Sequence, residues 1–321
     1  MQALYSALGV RVRADFPLTL QPIDETAGAQ LQHELHVELQ HTHERSPGGE
    51  QTHRVTLARQ TLEHPSIEVH TDGDEWSILC EQGERYARYA SVGDGRIHVR
   101  YTGVISPEDL AAPLEGPALG MALRLEGHLL LHASSVRCGA LGVAFGGISG
   151  EGKSTLAALL LQRDAEFWGD DILRVIPESA TAFPDGRAAR LHEASATIAE
   201  IPTDQAPAAH LASDKKKLHL ANDRFLARAH TLDAFFALDR RHRGDTPLIT
   251  PVYGADALVA LMRSRYPTWM QSPLLDARDF DALATLLSRL RVFRLALPDG
   301  LEKMPRAADE LLRQIQALTP A

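Results

Sequence analysis

The stretch FGGISGEGKSTLAALL, residues 145–160, decides how this chain is read. It continues the apolar run LGVAFGG and leads into an apolar-faced segment, so a strand, a glycine-rich loop and a helix follow one another. Gly147, Gly152, Lys153 and Ser154 fit the pattern GxxxxGK(S/T). Glycines permit backbone dihedrals that aim successive N–H groups at one point, and the start of a helix adds partial positive charge. An anion cradle is therefore expected, with ATP as the nucleotide. Its candidate contacts are Gly147, Ser149, Gly150, Glu151, Gly152, Lys153, Ser154 and Thr155. Lys153 suits the β and γ phosphates, and the Ser154 hydroxyl suits a magnesium ion (Mg2+). A glycine-rich turn before an ordinary helix, with Lys153 in solvent, is the bland alternative. The flanking strand and helix argue against it.

Working outward, WGDDILRV at residues 168–175 carries two adjacent carboxylates, Asp170 and Asp171. In an alternating strand they face opposite sides. One can then point at the magnesium and phosphates, with Asp170 a metal candidate, while the other is structural; a turn pair capping the strand remains open. Upstream, LLLHASSV at residues 129–136 places His132 in an apolar strand. A lone histidine there is either a hydrogen-bonded core residue or a site residue. The basic run SDKKKLHL at residues 213–220 offers Lys215 and Lys217, as a solvated surface or as cations close to phosphates.

The chain changes character near residue 107. Before it, GVRVRADF, LHVELQ, HRVTLA, SIEVH, WSILC and RIHVRY are short β-like stretches separated by SPGGE, HTDGDE and SVGDGR. Residues 1–107 are expected to form a β-rich N-terminal region, with HTHERSPGGEQTH at residues 41–53 as an exposed loop. SPEDLAAPLEGPALGMALRLEG then opens on a serine cap and a proline, and its apolar residues fall near helical spacing. From there LLLHASSV, LGVAFGG, the cradle, STLAALLLQRD and FWGDDILRVI alternate strand and helix, which indicates an α/β core over residues 108–321. Residues 181–230 read as irregular. DFDALATLLSRL and PRAADELLRQIQAL read as helices around the strand VFRLAL. FALDRRHRGDTP, residues 236–247, reads as a strand leaving into an exposed loop, one of whose arginines can reach the site.

Composition limits the function classes. Hydrophobic residues make up 44% and charged residues 23% of 321, ordinary for a globular protein. The formal charge of -9 and the lack of a long basic block argue against nucleic acid as the main partner. No leader-like or membrane-spanning apolar run is present in the sequence, so a soluble, cytoplasmic protein with no membrane partner is the expectation. Cys80 and Cys138 have neither CxxC nor metal-ligand spacing and read as two buried thiols.

His132, then GGISGEGKS, then GDD with Asp171 standing 18 residues after Lys153, resembles the catalytic domain of HPr kinase/phosphorylase. The resemblance covers residues 120–225 well and the remaining C-terminal half loosely. It implies a P-loop, phosphoenolpyruvate-carboxykinase-like α/β core, here with a β-rich N-terminal region unlike that of HPr kinases. It also implies Lys153 on the β and γ phosphates, Ser154 on the magnesium, Asp171 as the base that takes a serine proton, and His132 beside the transferring group. A family glutamate that helps hold the metal has Glu193 as its candidate here. The segment ARLHEASATIAE departs from the family's Gly- and Ile-rich stretch. That stretch is linked to phosphorolysis and HPr binding, so a non-HPr subgroup is implied, similar to kinases that phosphorylate a serine of a modified-peptide precursor. The expected activity is an ATP- and Mg-dependent serine kinase with a peptide or protein hydroxyl acceptor. A small-molecule kinase, such as one acting on free serine, and a non-catalytic ATP-binding regulatory module are the alternatives. Members of the family often assemble, which makes a homo-oligomer a further expectation.

Overall fold

The computed structural model describes residues 3–14, 17–18, 20–22, 24, 34–41, 55–61, 66–72, 75–82, 85–91, 96–102, 106–148, 150–183, 185, 189–202, 215–218, 228–268 and 273–318. The loop expected at residues 41–53 lies, apart from His41, outside the described residues. Two compact units are present, one built chiefly from residues before 128 and the other from residues after it.

In the first unit nine strands among the described residues form one sheet. They are β1 (Ala3–Ala7), β2 (Val10–Ala14), β3 (Gln21–Pro22), β4 (Glu34–His41), β5 (Val55–Thr61), β6 (Ser66–Asp72), β7 (Glu75–Gln82), β8 (Arg85–Ser91) and β9 (Arg96–Thr102), in the order β3-β1-β2-β4-β9-β8-β7-β6-β5. Strand β2 shows the reason at residue level: Val10, Val12 and Ala14 are buried while Arg11 and Arg13 alternate outward. Helix α1 (Pro107–Pro113) starts at Ser106, whose Oγ accepts the Asp109 N–H at 3.1 Å. A π-helical turn, Leu114–Ala118, leads into α2 (Leu119–Leu125). Pro117 cannot donate within that turn, and the wider turn accommodates it. The buried Tyr89 hydroxyl donates to Leu110 O at 2.9 Å and fastens α1 to the sheet.

The second unit is mixed α/β. Its strands are β10 (Leu129–Leu131), β11 (Ala133–Cys138), β12 (Leu141–Gly146), β13 (Glu166–Asp170), β14 (Leu173–Ile176), β15 (Thr181–Phe183), β16 (Ala189–His192), β17 (Lys215–Leu218), β18 (His230–His242), β19 (Leu248–Val252) and β20 (Arg291–Pro298). Its helices are α3 (Lys153–Leu161), α4 (Glu193–Ile198), α5 (Gly254–Met262), α6 (Pro273–Leu286) and α7 (Met304–Ala317). The large sheet runs β10-β14-β15-β18-β12-β11-β13, with β20 added on β18 and β19 on β20. Strand β18 pairs in parallel with β12 and β20, while the remaining pairs of this sheet are antiparallel.

Neighbouring phenylalanines show how the sheet serves two cores. Phe236 stacks on Phe293 at 5.1 Å and packs with Phe145 of β12, Leu156 and Leu160 of α3 and Leu311 of α7. Phe235, one residue earlier, belongs with Trp168, Leu131, Leu261 and Leu283 on the other face. Fully burying each such side chain stabilises the fold by about 1.5–3 kcal/mol. Among the described residues no helix is long and apolar enough to cross a membrane.

Two stretches expected as single strands are interrupted. LLLHASSV divides at His132, whose N–H donates to Ser264 O at 2.6 Å instead of to the ladder. FWGDDILRVI divides after Asp170, because Asp171 turns to φ 93°. The segment 181–230 is more regular than expected, since β15, β16, α4 and β17 lie within it. FALDRRHRGDTP stays in strand as far as His242, held by β20 partners Asp239↔Ala296 and His242↔Pro298.

Candidate active site

The loop after β12 is shaped by its own side chains. Gly152 caps α3 with φ 103°, and a Cβ there would stand 2.9 Å from Arg241 Nη2. Gly147 has φ 151°, and a Cβ would stand 2.2 Å from Glu151 Oε2. Both positions therefore require glycine. Glu151 Oε2 accepts the Ile148 N–H at 2.9 Å, closing the loop on itself. Lys153 is buried, and its ammonium donates to Gly147 O at 2.7 Å and Ile148 O at 3.0 Å. The first turn of α3 opens onto this loop, so orphan N–H groups and the positive helix end face the same space. Burial raises the Glu151 pKa; the Ile148 hydrogen bond and the Lys153 charge oppose the rise. Arg241, from the end of β18, donates Nη2–H to Glu151 O at 3.1 Å and Nη1–H to Pro298 O at 3.0 Å.

Asp170 ends β13 and is buried. Its Oδ1 accepts from Ser134 Oγ at 2.5 Å and from Ser154 Oγ at 2.8 Å, and its Oδ2 accepts the Arg190 N–H at 3.1 Å. Ser134 reaches it because the two residues are cross-strand partners in β11 and β13. Asp185 completes the shell by accepting the Asp170 N–H at 3.1 Å. Octahedral Mg2+ with ligands at about 2.0–2.1 Å needs neighbouring oxygens about 2.9 Å apart. The Ser154 and Asp170 oxygens, at 2.8 Å, fit that edge. Such a metal keeps most of its other positions for water and phosphate, so few protein ligands suffice. Among the described residues there is no group of three or more His, Cys, Asp and Glu side chains that could hold a metal.

Asp171 follows immediately and has a separate set of partners. Its N–H donates to Ala133 O at 3.1 Å, tying its turn to the other strand interruption. Its Oδ1 lies 3.1 Å from His132 Nε2, and its Oδ2 lies 3.6 Å from Arg190 Nη1. The Asp171 side chain retains 29% exposure against 16% for His132, so the carboxylate is the more open of the pair. The His132 and Tyr266 rings form a T-shaped pair with centroids 6.2 Å apart. His132 is thus no longer a mid-strand core residue; it flanks an acid that solvent can reach.

The other sequence candidates fall as follows. Thr155 Oγ1 donates to Ser195 Oγ at 2.8 Å, joining α3 to α4. Glu193 is the exposed first residue of α4, and its carbonyl accepts from Thr197. Gly150 is exposed at φ 88°. Ser149 lies outside the described residues. Lys215 and Lys217 pair through their backbones with His192 and Arg190, while their side chains lie outside the described residues. Ser134, Asp185 and Arg190 were not singled out in the sequence. Cross-strand register brings in Ser134, and the β16 backbone brings in Arg190; neither leaves a local pattern.

No protein-family model and no curated protein matches this chain. Among solved structures, the HPr(Ser) kinase/phosphatase from Coxiella burnetii aligns with 59% of this chain and 90% of its own length, at 12% identity and a TM-score of 0.32.

Proposed function

We propose that this protein is an ATP- and Mg-dependent kinase that transfers the γ-phosphoryl group to a hydroxyl, in the first instance a serine of a peptide or protein. The observation that carries the reading is the division of labour between adjacent aspartates. Asp170 is closed in by two serine hydroxyls, one of them from the first turn of the helix that follows the glycine loop. Asp171 is open and paired with a histidine. Phosphoryl transfer asks little covalent chemistry of a protein beyond this: a cradle, charge neutralisation and a group to take the proton.

In this reading the loop N–H groups, Lys153 and the start of α3 hold the triphosphate, and Ser154 and Asp170 hold Mg2+, which would supply charge neutralisation at the phosphates. Asp171 removes the acceptor proton as the acceptor oxygen bonds to the γ phosphorus and the bond to the bridging oxygen breaks, with ADP leaving. His132 orients the Asp171 carboxylate and shares the proton it receives. Lys153 leaves the loop carbonyls for the phosphates, exchanging neutral hydrogen bonds for stronger charge-assisted ones. The experiment is transfer of label from γ-labelled ATP to serine-containing peptides, with slow ATP hydrolysis as a substitute acceptor reaction. A parent protein that binds Mg-ATP and transfers its γ-phosphoryl group neither to a serine peptide nor to water overturns the reading.

A further inference from the structure

Arg190 is a half-buried cation whose side-chain donors are incompletely matched among the described residues. Its backbone N–H serves Asp170, while its side chain, 15% exposed, has Asp171 as its ion-pair partner among the described residues, at 3.6 Å, beyond normal hydrogen-bond length. Its Nε is buried with no hydrogen-bond partner. A guanidinium carries five donors in a fixed fork matched to carboxylate and phosphate oxygens. Leaving such a group desolvated and underpaired is unfavourable, and the cost is recovered when an anion completes it. Among the described residues, the charges close to it are the Asp171 carboxylate, the Asp170 carboxylate at its backbone and, across Asp171, His132.

We infer that Arg190 recognises an anionic group, a carboxylate or phosphate, carried by the acceptor close to its reacting hydroxyl. This rests on the kinase reading for the acceptor's role, and it narrows that reading to hydroxyl compounds or peptide serines with an acidic neighbour. The geometry adds a consequence for the base. While Arg190 leans on Asp171, the carboxylate is held between two cationic or hydrogen-bonding neighbours. An acceptor anion that draws the guanidinium away removes that contact from Asp171 and keeps the His132 contact, so seating the acceptor changes the surroundings of the base. Arg190 is here a specificity residue; the proton goes to Asp171.

The test separates the anion site from the cradle. Melting temperature is followed against inorganic phosphate, glycerate and glycerol in the Lys153→Ala protein, whose phosphate cradle is weakened, and in the same protein carrying Arg190→Met or Arg190→Lys. Phosphate or glycerate should stabilise the Lys153→Ala protein, and glycerol, which has hydroxyls without the carboxylate, should not. Arg190→Met should raise the concentration required about ten- to a hundredfold, with partial recovery in Arg190→Lys. A response to phosphate alone assigns a phosphorylated acceptor, and a response to glycerate alone a carboxylate. Equal responses with and without Arg190, or no response to either anion, overturn the inference. If Arg190→Met fails to fold, Arg190→Lys gives the same comparison. Because binding is read without turnover, a failed kinase assay leaves this result standing, and the reverse.

Discussion

His132 Nε2 lies 3.1 Å from Asp171 Oδ1, and the two residues meet because each occupies a gap between strands. His132 separates β10 from β11, and Asp171 follows β13 before β14 begins. Since β11 pairs with β13 and β10 with β14, the two gaps come side by side. Had either strand run on, alternation would have fixed these side chains by the pleat rather than by each other.

Asp171→Asn should therefore retain Mg-ATP binding and lose turnover by about 10²- to 10⁴-fold, since the amide keeps the shape but cannot take a proton. His132→Ala supplies the contrast. A positioning histidine lowers turnover at an unchanged melting temperature, whereas a core histidine lowers both together. Parental turnover in Asp171→Asn would remove the mechanism and favour an ATP-binding regulatory module.

Lys153→Ala should weaken Mg-ATP by about ten- to a hundredfold, the equivalent of about 1.5–3 kcal/mol for a charge-assisted contact. Calorimetric titration reads this directly. The variant also removes the tethers to Gly147 O and Ile148 O, so faster proteolysis within the loop should accompany the loss. Equal affinity in variant and parent rules out the cradle.

Glu151 gives a pH signature. Its pKa is raised above the ordinary 4.5, chiefly by burial, so the fold disfavours the ionised form. For a raised carboxyl that cost is absent below 4.5 and fully present once pH exceeds the folded value. Glu151→Gln keeps an acceptor for the Ile148 N–H without the charge. It should melt above the parent at neutral pH, with the gap closing as pH falls toward 4; a gap that widens on acidification contradicts the assignment.

Cys138 should be chemically silent in the folded protein. Burial pushes its thiol up to about 12, leaving almost no thiolate at pH 8. Iodoacetamide labelling followed by peptide mass mapping should find Cys138 unmodified in the native state and modified after unfolding. Rapid native labelling would show that this part of β11 opens.

How far the sequence leads depends on whether a residue's partners are local. LGVAFGG, the glycines and STLAALLLQ are read correctly as strand, loop and helix, because apolar run, turn chemistry and helix start are all local signals. VFRLAL and PRAADELLRQIQAL likewise form β20 and α7. The breaks at His132 and Asp171 are not legible, since LLLHASSV favours strand throughout and only the distant Ser264 carbonyl draws the His132 N–H away. RYARYAS forms β8 with little strand signal of its own, because the residues it turns inward are Ala87 and Tyr89, without an aliphatic run. The pair Asp170 and Asp171 can be picked out in sequence, but their separation into a closed and an open carboxylate depends on Ser134, Ser154 and a backbone turn.

That turn sets a conflict between endurance and chemistry. Asp171 holds a φ of 93°, a region that side chains with a Cβ enter at a cost of about 1–3 kcal/mol and that glycine enters freely. A laboratory selection for heat resistance alone, with no demand for turnover, would find Asp171→Gly an attractive step. The same step discards the open carboxylate that stands beside His132 among the described residues, 3.1 Å from its Nε2. On the kinase reading, thermostable variants of this protein should therefore be sought at other positions, and a stabilised lineage that changes Asp171 should have lost its phosphoryl transfer.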